Sequence, residues 1–321
     1  MNDDSKLVLR VNEVYHDLQG LDYASVHTGM FEAQTQRWQR IGAQFVAGRT
    51  APLCIVDIGS GTGFVASRIA PLLQASDRLI CADLSQKMLN ACEQHLSSLK
   101  ISCQRAFLKL DGKNIGMPDQ SCDALTMNSV LHHIPEMAPF LSEVNRVLKP
   151  GGRLAFAHEP SRHFYASFVL RTHAAAAGML FTPQRIVGAG LRRLGLMEAA
   201  RSALRSAGRD SGDAKLLKQV NQQLLCEGVI REALTQDKLQ SLVDVKSPTA
   251  GGFRPGFGID IESLLCDLPG FEVESVETYN HLAEASLVNA LARWYDGFLK
   301  RRNPGNGATL SAVLRKFSLS P

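Results

Sequence analysis

Nothing in these 321 residues is long and apolar enough to cross a membrane, since no run reaches the roughly 18 residues a span requires. No apolar h-region follows Met1-Asn2-Asp3-Asp4, so no secretory leader is expected and a cytoplasmic location is. The seven cysteines include no CxxC pair. Their odd count and scattered spacing argue against a disulfide framework or a structural zinc, and no metal site is expected. A charge of one sign is also missing. Thirty-five Lys and Arg stand against 31 Asp and Glu, a net of +4, which excludes a generally polybasic nucleic-acid binder. Aromatics make up only 7% of the chain, too sparse for a ladder of base-stacking side chains, and a nucleic-acid partner is not expected.

What is present is an alternation of strand and helix. Residues 6–47 read as helical, with Trp38, Ile41 and Phe45 on one face. Short apolar runs at 53–57, 78–83, 102–110, 123–128 and 153–158 read as five strands covered on both faces. An amphipathic helix over 137–148 stops at Lys149-Pro150-Gly151-Gly152. After Pro160 the alternation gives way to a helix-leaning stretch to Pro255, with a further helix over 259–268. A sixth strand over 271–276, a helix over 283–301 and a last strand over 310–317 follow. The expected fold is therefore α/β: a Rossmann-like, seven-stranded, mostly parallel sheet with helices on both faces, and a helical insertion between strands five and six. The divisions are a helical cap (1–48), a core (49–160), an insertion or lid that forms the acceptor pocket (161–258) and a completion of the sheet (259–321). Residues 161–215 carry a net +6, leaving the rest of the chain at −2.

Asp57-Ile58-Gly59-Ser60-Gly61-Thr62-Gly63 lies between the first strand and its helix, where open α/β sheets bind cofactors. A dinucleotide fingerprint would put its third glycine at position 64, which is Phe64. A P-loop would need Gly-Lys-Ser/Thr, which does not follow. Asp83 ends the second strand; a carboxylate there can accept both hydroxyls of a ribose, or cap the next helix. Asp111 ends the third strand before Gly112, placed to accept from an adenine amine, or to serve as a turn aspartate.

With these residues the chain resembles the class I S-adenosylmethionine-dependent methyltransferases, the broad group that includes ubiquinone/menaquinone C-methyltransferases. The likeness continues through Met117 to Asp123, Leu131-His132-His133-Ile134 and Leu148 to Gly152. It implies S-adenosyl-L-methionine as cofactor and S-adenosyl-L-homocysteine as product. Asp57 would fix the loop, and Gly59, Ser60, Gly61 and Gly63 would surround the methionine moiety. Asp83 would take the ribose, Leu84 would pack on adenine, Asp111 and Gly112 would meet its amine edge, and Asn128 would flank the methyl.

Methyl transfer to oxygen or acidic carbon gains from a general base. His158 and Glu159, at the end of the fifth strand, and His133 are the catalytic candidates. Tyr15 and Tyr23, in a segment that covers the cofactor in similar enzymes, and His163 are candidates for the acceptor pocket, with His16 and His27 in the same segment as Tyr15. The fourth strand is followed by neither an Asn/Asp-Pro-Pro-Tyr/Phe motif nor Pro-Cys, which leaves oxygen or carbon acceptors favoured over amides and cytosine. The expected acceptor is a small, hydrophobic molecule. The Arg-punctuated insertion adds peripheral contact with anionic lipid as an expectation. Two alternatives stay open: an RNA or protein methyltransferase docking through that insertion, and a binding module without catalysis. Oligomeric state is not legible.

Overall fold

Four of the five expected apolar segments become parallel strands largely buried on both faces, while the third, at the sheet edge, is only partly covered. The computed structural model describes residues 3–19, 28–181, 210–254, 256–287 and 289–317. The elements are α1 (Asp3–Gln19), α2 (Thr28–Val46), β1 (Cys54–Ile58), α3 (Phe64–Ile69), β2 (Arg78–Asp83), α4 (Gln86–Ser97), β3 (Gln104–Lys109), β4 (Cys122–Asn128), α5 (Met137–Val147) and β5 (Leu148–Pro160). Then follow α6 (Arg162–Ala166), α7 (Phe168–Phe181), α8 (Asp210–Cys226), α9 (Gln236–Val243), α10 (Ile261–Cys266), β6 (Phe271–Tyr279), α11 (Ala290–Arg302) and β7 (Thr309–Lys316). The sheet order is β3-β2-β1-β4-β5-β7-β6. β7 runs antiparallel to both β5 and β6, and every other pairing is parallel.

Strand alternation sorts the core into two sides. Ile58, Ile80, Met127 and Phe156 meet Leu141 and Val144 of α5 and Leu264 of α10. Ile55, Leu79 and Ala155 meet Trp38 of α2, Ile69 of α3 and Leu96 of α4. Full burial of a large apolar side chain contributes ~1.5–3 kcal/mol, against ~0–1 kcal/mol for an exposed ion pair. The two sheet faces, not the surface charges, hold the fold. A third cluster joins Val8, Val11 and Val14 of α1 to Val220 and Leu224 of α8 and Leu239 of α9. The N-terminal cap and part of the insertion thus share one core.

Several boundaries differ from expectation. Of the stretch expected to be helical over 6–47, the described residues form α1 and α2, and Tyr23 and His27 lie outside the described residues. So does the arginine-rich part of the insertion at 182–209. β5 begins at Leu148, because that residue already pairs with Cys122; the Pro-Gly-Gly turn is absorbed as an irregularity before Ala124 pairs with Arg153. β6 runs on to Tyr279 because β7 supplies partners that far. Within β5 the pairing with β7 skips between Phe156 and Glu159, and His158 there has φ +62°. This is a bulge, and bulges re-aim the side chains that follow them. The His158 N–H donates to the Tyr279 hydroxyl at 2.9 Å.

Candidate active site

The carboxyl ends of β1, β2 and β4 open on a cavity of about 460 Å³. Its floor is the glycine loop. Gly59, Gly61 and Gly63 all have positive φ, a conformation that costs residues with a Cβ about 1–2 kcal/mol each. A Cβ at Gly59 would come 2.5 Å from Val130, whereas one at Gly61 would meet nothing within 4 Å and would stand in the cavity. The Ser60 N–H donates to the Ala82 carbonyl at 3.1 Å and the Gly63 N–H to the Ser60 carbonyl at 2.8 Å, which closes the loop against β2.

Asp83 reinforces that closure. Its Oδ2 accepts from the Gly61 N–H at 2.8 Å and its Oδ1 from the Ser85 N–H at 2.9 Å. Helix capping falls to Ser85, whose Oγ accepts from the Met88 N–H at 3.0 Å. Asp83 and Leu84 border the cavity, as does Asn128, whose Oδ1 accepts from the Trp38 indole N–H at 2.9 Å.

Asp57 sits behind the loop, 1% exposed. The parallel register sets it beside Thr126, whose hydroxyl donates to Oδ1 at 2.8 Å. Oδ2 makes no hydrogen bond, and neither does the buried Ser60 Oγ. Burial pushes the Asp57 carboxyl up to about 7, with the charge of Asp83 adding to the shift. Burial likewise pushes Asp83 up, against the Ser85 and Gly61 amides that favour its carboxylate. Two carboxyls held above their ordinary range at one loop define a place that favours a cation. The orphaned oxygens and the Cβ-free approach at Gly61 fit the charged amino acid end of S-adenosylmethionine.

Opposite the loop the wall is α1. Lys6, Leu9, Asn12 and His16 face the cavity at helical spacing. Leu9 presses close enough to Gly112 that a Cβ there would meet it at 2.6 Å. Tyr15, one position from His16, turns instead into the α1–α8–α9 cluster. The pocket role expected of Tyr15 therefore falls to His16. The sequence held the signal in that spacing of three to four residues. Burial, followed by the neighbouring His133 and His132, pushes the His16 imidazole down to about 3, so it is neutral.

The histidine pair is organised by two carboxylates. Glu159, 0% exposed, accepts from the N–H groups of Val130 and Leu131 at 2.7 and 2.9 Å, and from His132 Nδ1 at 2.7 Å. Burial alone would raise its pKa; His132 and the amides hold it below the usual carboxylate range. Burial alone would likewise lower His132, and Glu159 holds it above the usual histidine value. His133 is different. Its Nδ1 lies 2.7 Å from the Val243 carbonyl, which can only accept, so Nδ1 carries the proton and Nε2 the lone pair. Burial and then the charge of His132 hold its pKa down. Asp244 Oδ1 lies 3.2 Å from His133 Nδ1 and 3.6 Å from His132 Nε2. These three residues bring ligand-capable atoms within 4.8 Å of one another, but a metal would have to displace the His133–Val243 bond.

Of the catalytic candidates, only His133 lines the cavity. Glu159 is consumed by the turn at 130–132, because the bulge in β5 aims it there. His158 is engaged with Tyr279 on the far side of that bulge. His163 is exposed, its Nε2 3.2 Å from Asn306 Oδ1, and stands outside the cavity. Asp111 is also exposed. Its Oδ1 accepts from the Lys113 and Asn114 N–H groups at 2.7 and 2.9 Å, the turn role, while Gly112, Lys113 and Asn114 form the cavity wall. Asp244 was missed, since nothing in the sequence links it to His132 and His133, more than 110 positions away.

Residues 56–156 match a family model described as a methyltransferase domain. The chain is 30% identical over 145 residues to the ubiquinone/menaquinone biosynthesis C-methyltransferase UbiE of Cellvibrio japonicus (strain Ueda107), covering 45% of this chain and 57% of that protein. It is 26% identical over 151 residues to the protein of the same name from Pseudomonas fluorescens (strain Pf0-1), covering 47% and 58%. The chain thus spans little more than half the length of these curated relatives. Among solved structures it is similar to an S-adenosylmethionine-dependent methyltransferase from Mesorhizobium loti. That likeness is 14% identical, covers 86% of this chain and 96% of that one, and has a TM-score of 0.44.

Proposed function

We propose that this chain, which carries a class I S-adenosylmethionine-dependent methyltransferase domain, transfers a methyl group to an oxygen or carbon of a small hydrophobic acceptor. The observation that carries the reading is one cavity with two unlike walls. On one side stand the glycine loop and the strand-end carboxyl of Asp83; on the other stand α1, Phe140 and a neutral His133. Its size is in the range of small-ligand sites rather than of a groove for a macromolecule.

S-adenosylmethionine supplies a methyl group already activated on a sulfonium, so the protein's contribution is alignment, water exclusion and a proton acceptor. The loop Gly59 to Gly63, with Asp57 behind it, would hold the amino acid end, Asp83 the ribose, and Leu84 with Gly112 the base. Asn128, fixed by Trp38, would border the methyl. His133 presents Nε2 with its lone pair free because Val243 holds Nδ1 protonated. It is the residue assigned to take the acceptor's proton, and α1 and the 243–246 segment keep water from it.

Calorimetric titration with S-adenosylmethionine comes first, followed by release of S-adenosylhomocysteine with phenols, quinones and fatty or polyketide acids as acceptors. Saturable cofactor binding is expected, with product formed from apolar acceptors. His133→Gln is expected to lower kcat and remove the acid limb of the pH profile while cofactor affinity stays unchanged. No binding of the cofactor would overturn the reading; turnover unaffected in His133→Gln would remove the base assignment alone.

A further inference from the structure

The helix α7 is packed inside out. It buries Ala174, Ala177 and Gly178 against the turn at 283–287 and α11, where Gly178 approaches Ala285 and the His173 imidazole meets the Tyr295 hydroxyl at 3.0 Å. Leu170 and Phe181 at its ends pack inward, but four other large apolar side chains face the other way. Phe168, Val169 and Leu180 are 71–74% exposed, Met179 is exposed with them, and Ala175 and Ala176 continue the same helical stripe between them. An amphipathic helix that served only its own core would bury the large residues and expose the small ones. Exposed clusters of this kind mark contact with something outside the chain. On α11, against which α7 packs, Leu291 and Trp294 are exposed too.

Charge points to the occupant. Along α7 and α11 stand Arg171, Arg293, Lys300, Arg301 and Arg302 against one acid, Asp296, whose carboxylate accepts from the Leu282 N–H and the Ser286 hydroxyl. Within α7 the only ion is Arg171, whose guanidinium lies 4.0 Å over the Phe253 ring and 5.9 Å from that of Phe168. A protein partner built to bury so many apolar tips would meet a polar rim of both signs, and here the rim is predominantly basic. An anionic bilayer needs what is present: apolar side chains to enter the acyl boundary, an interfacial tryptophan, and an excess of positive charge.

We propose that α7, with the exposed end of α11, docks this protein on anionic lipid membranes. The helix leaves the carboxyl end of β5, the same end of the sheet on which the cavity opens. Docking would therefore bring the cavity's side of the protein to the membrane. The surface is separate from the cofactor site, so its test does not depend on the methyl-transfer reading.

The test is flotation of the full chain with vesicles of phosphatidylcholine and phosphatidylglycerol in equal parts, against vesicles of phosphatidylcholine alone. Tryptophan emission is followed in parallel. The chain has two tryptophans, and Trp38 is already fully buried, so a blue shift reports Trp294. Expected are binding to the anionic vesicles, at least about tenfold weaker binding to the neutral ones, attenuation by salt and a blue shift in the unaltered protein. Val169→Asp with Leu180→Asp should abolish flotation while S-adenosylmethionine affinity and the circular dichroism spectrum stay unchanged. The unaltered protein alone decides the case if that variant misfolds. No flotation and no blue shift overturns the proposal, as does equal binding to both vesicles or binding that persists in the folded variant. A dimer that Val169→Asp with Leu180→Asp converts to monomer also overturns it, and assigns the face to a second copy of this chain.

Discussion

Asp57 on β1 and Glu159 on β5 are both buried carboxyls in one sheet, with β4 between their strands, yet their proton affinities are shifted in opposite directions. Glu159 has all its acceptor capacity used, by backbone amides and His132, and stays ionised. Asp57 has only the Thr126 hydroxyl on Oδ1 and the nearby Ala66 amide to favour its charge, and burial raises its pKa to about 7. A buried charge that is fully paired is part of the scaffold; one left short of partners is a place for a ligand. On the proposed function, the difference separates a carboxylate spent on the scaffold from one available to a ligand, although neither lines the cavity itself.

The comparison breaks first at Glu159. Glu159→Gln puts an amide among N–H donors and leaves His132 without its counter-charge. Loss of one member of a buried pair costs about 3–5 kcal/mol. Urea denaturation should show that loss, and a change below about 1 kcal/mol would mean the network is not what holds the 130–133 turn. The second largest effect is expected at the loop. Asp83→Ala removes the acceptor of the Gly61 and Ser85 amides, and hydrogen bonds to a charged group are worth about 1.5–3 kcal/mol. S-adenosylmethionine affinity by calorimetry should fall roughly 10- to 100-fold. Asp111→Ala should leave it within about 0.5 kcal/mol, as for an exposed turn residue. Equal losses at both positions would restore Asp111 to the site.

The smallest effect is in pH, and its sign distinguishes the two carboxyls. Folded Asp57 holds its proton more tightly than the unfolded chain does. In the free protein its contribution to stability therefore declines as pH rises from about 4, the unfolded value, through about 7. Glu159 acts in reverse: its contribution is complete above the unfolded value and is lost as pH falls through its depressed folded value. An ammonium group placed near Asp57 favours the carboxylate. S-adenosylmethionine should thus bind more tightly at about pH 8 than at about pH 6, with up to about tenfold per unit below the pKa. Proton release seen by calorimetry in buffers of different ionisation heat checks this. Flat affinity with no proton released would detach Asp57 from the ligand's charge.

Strand-by-strand, the core was legible because each β-strand is a local apolar run and each crossover helix a local amphipathic one. The loop at 59–63 was legible for the same reason: left-handed backbone at a strand end is asked of glycine by its own φ angles. The β5 bulge was not. Its skipped pair depends on β7, some 150 residues later, and it alone decides that Glu159 turns towards the histidines and His158 away. His16 was half legible. Its spacing with Leu9 and Asn12 was in the chain, but which stripe of α1 meets the cavity was set when Val8, Val11 and Val14 packed on α8 and α9.

By itself the sequence determined the α/β class, the positions of the first five strands and the backbone cradle, since these follow from propensities and dihedral limits acting within a few residues. Tertiary structure decided which ionisable groups are spent and which are available. A side chain's protonation and pairing depend on what burial brings beside it, and Val243 and Asp244 reach His133 only after the insertion has folded back over the sheet.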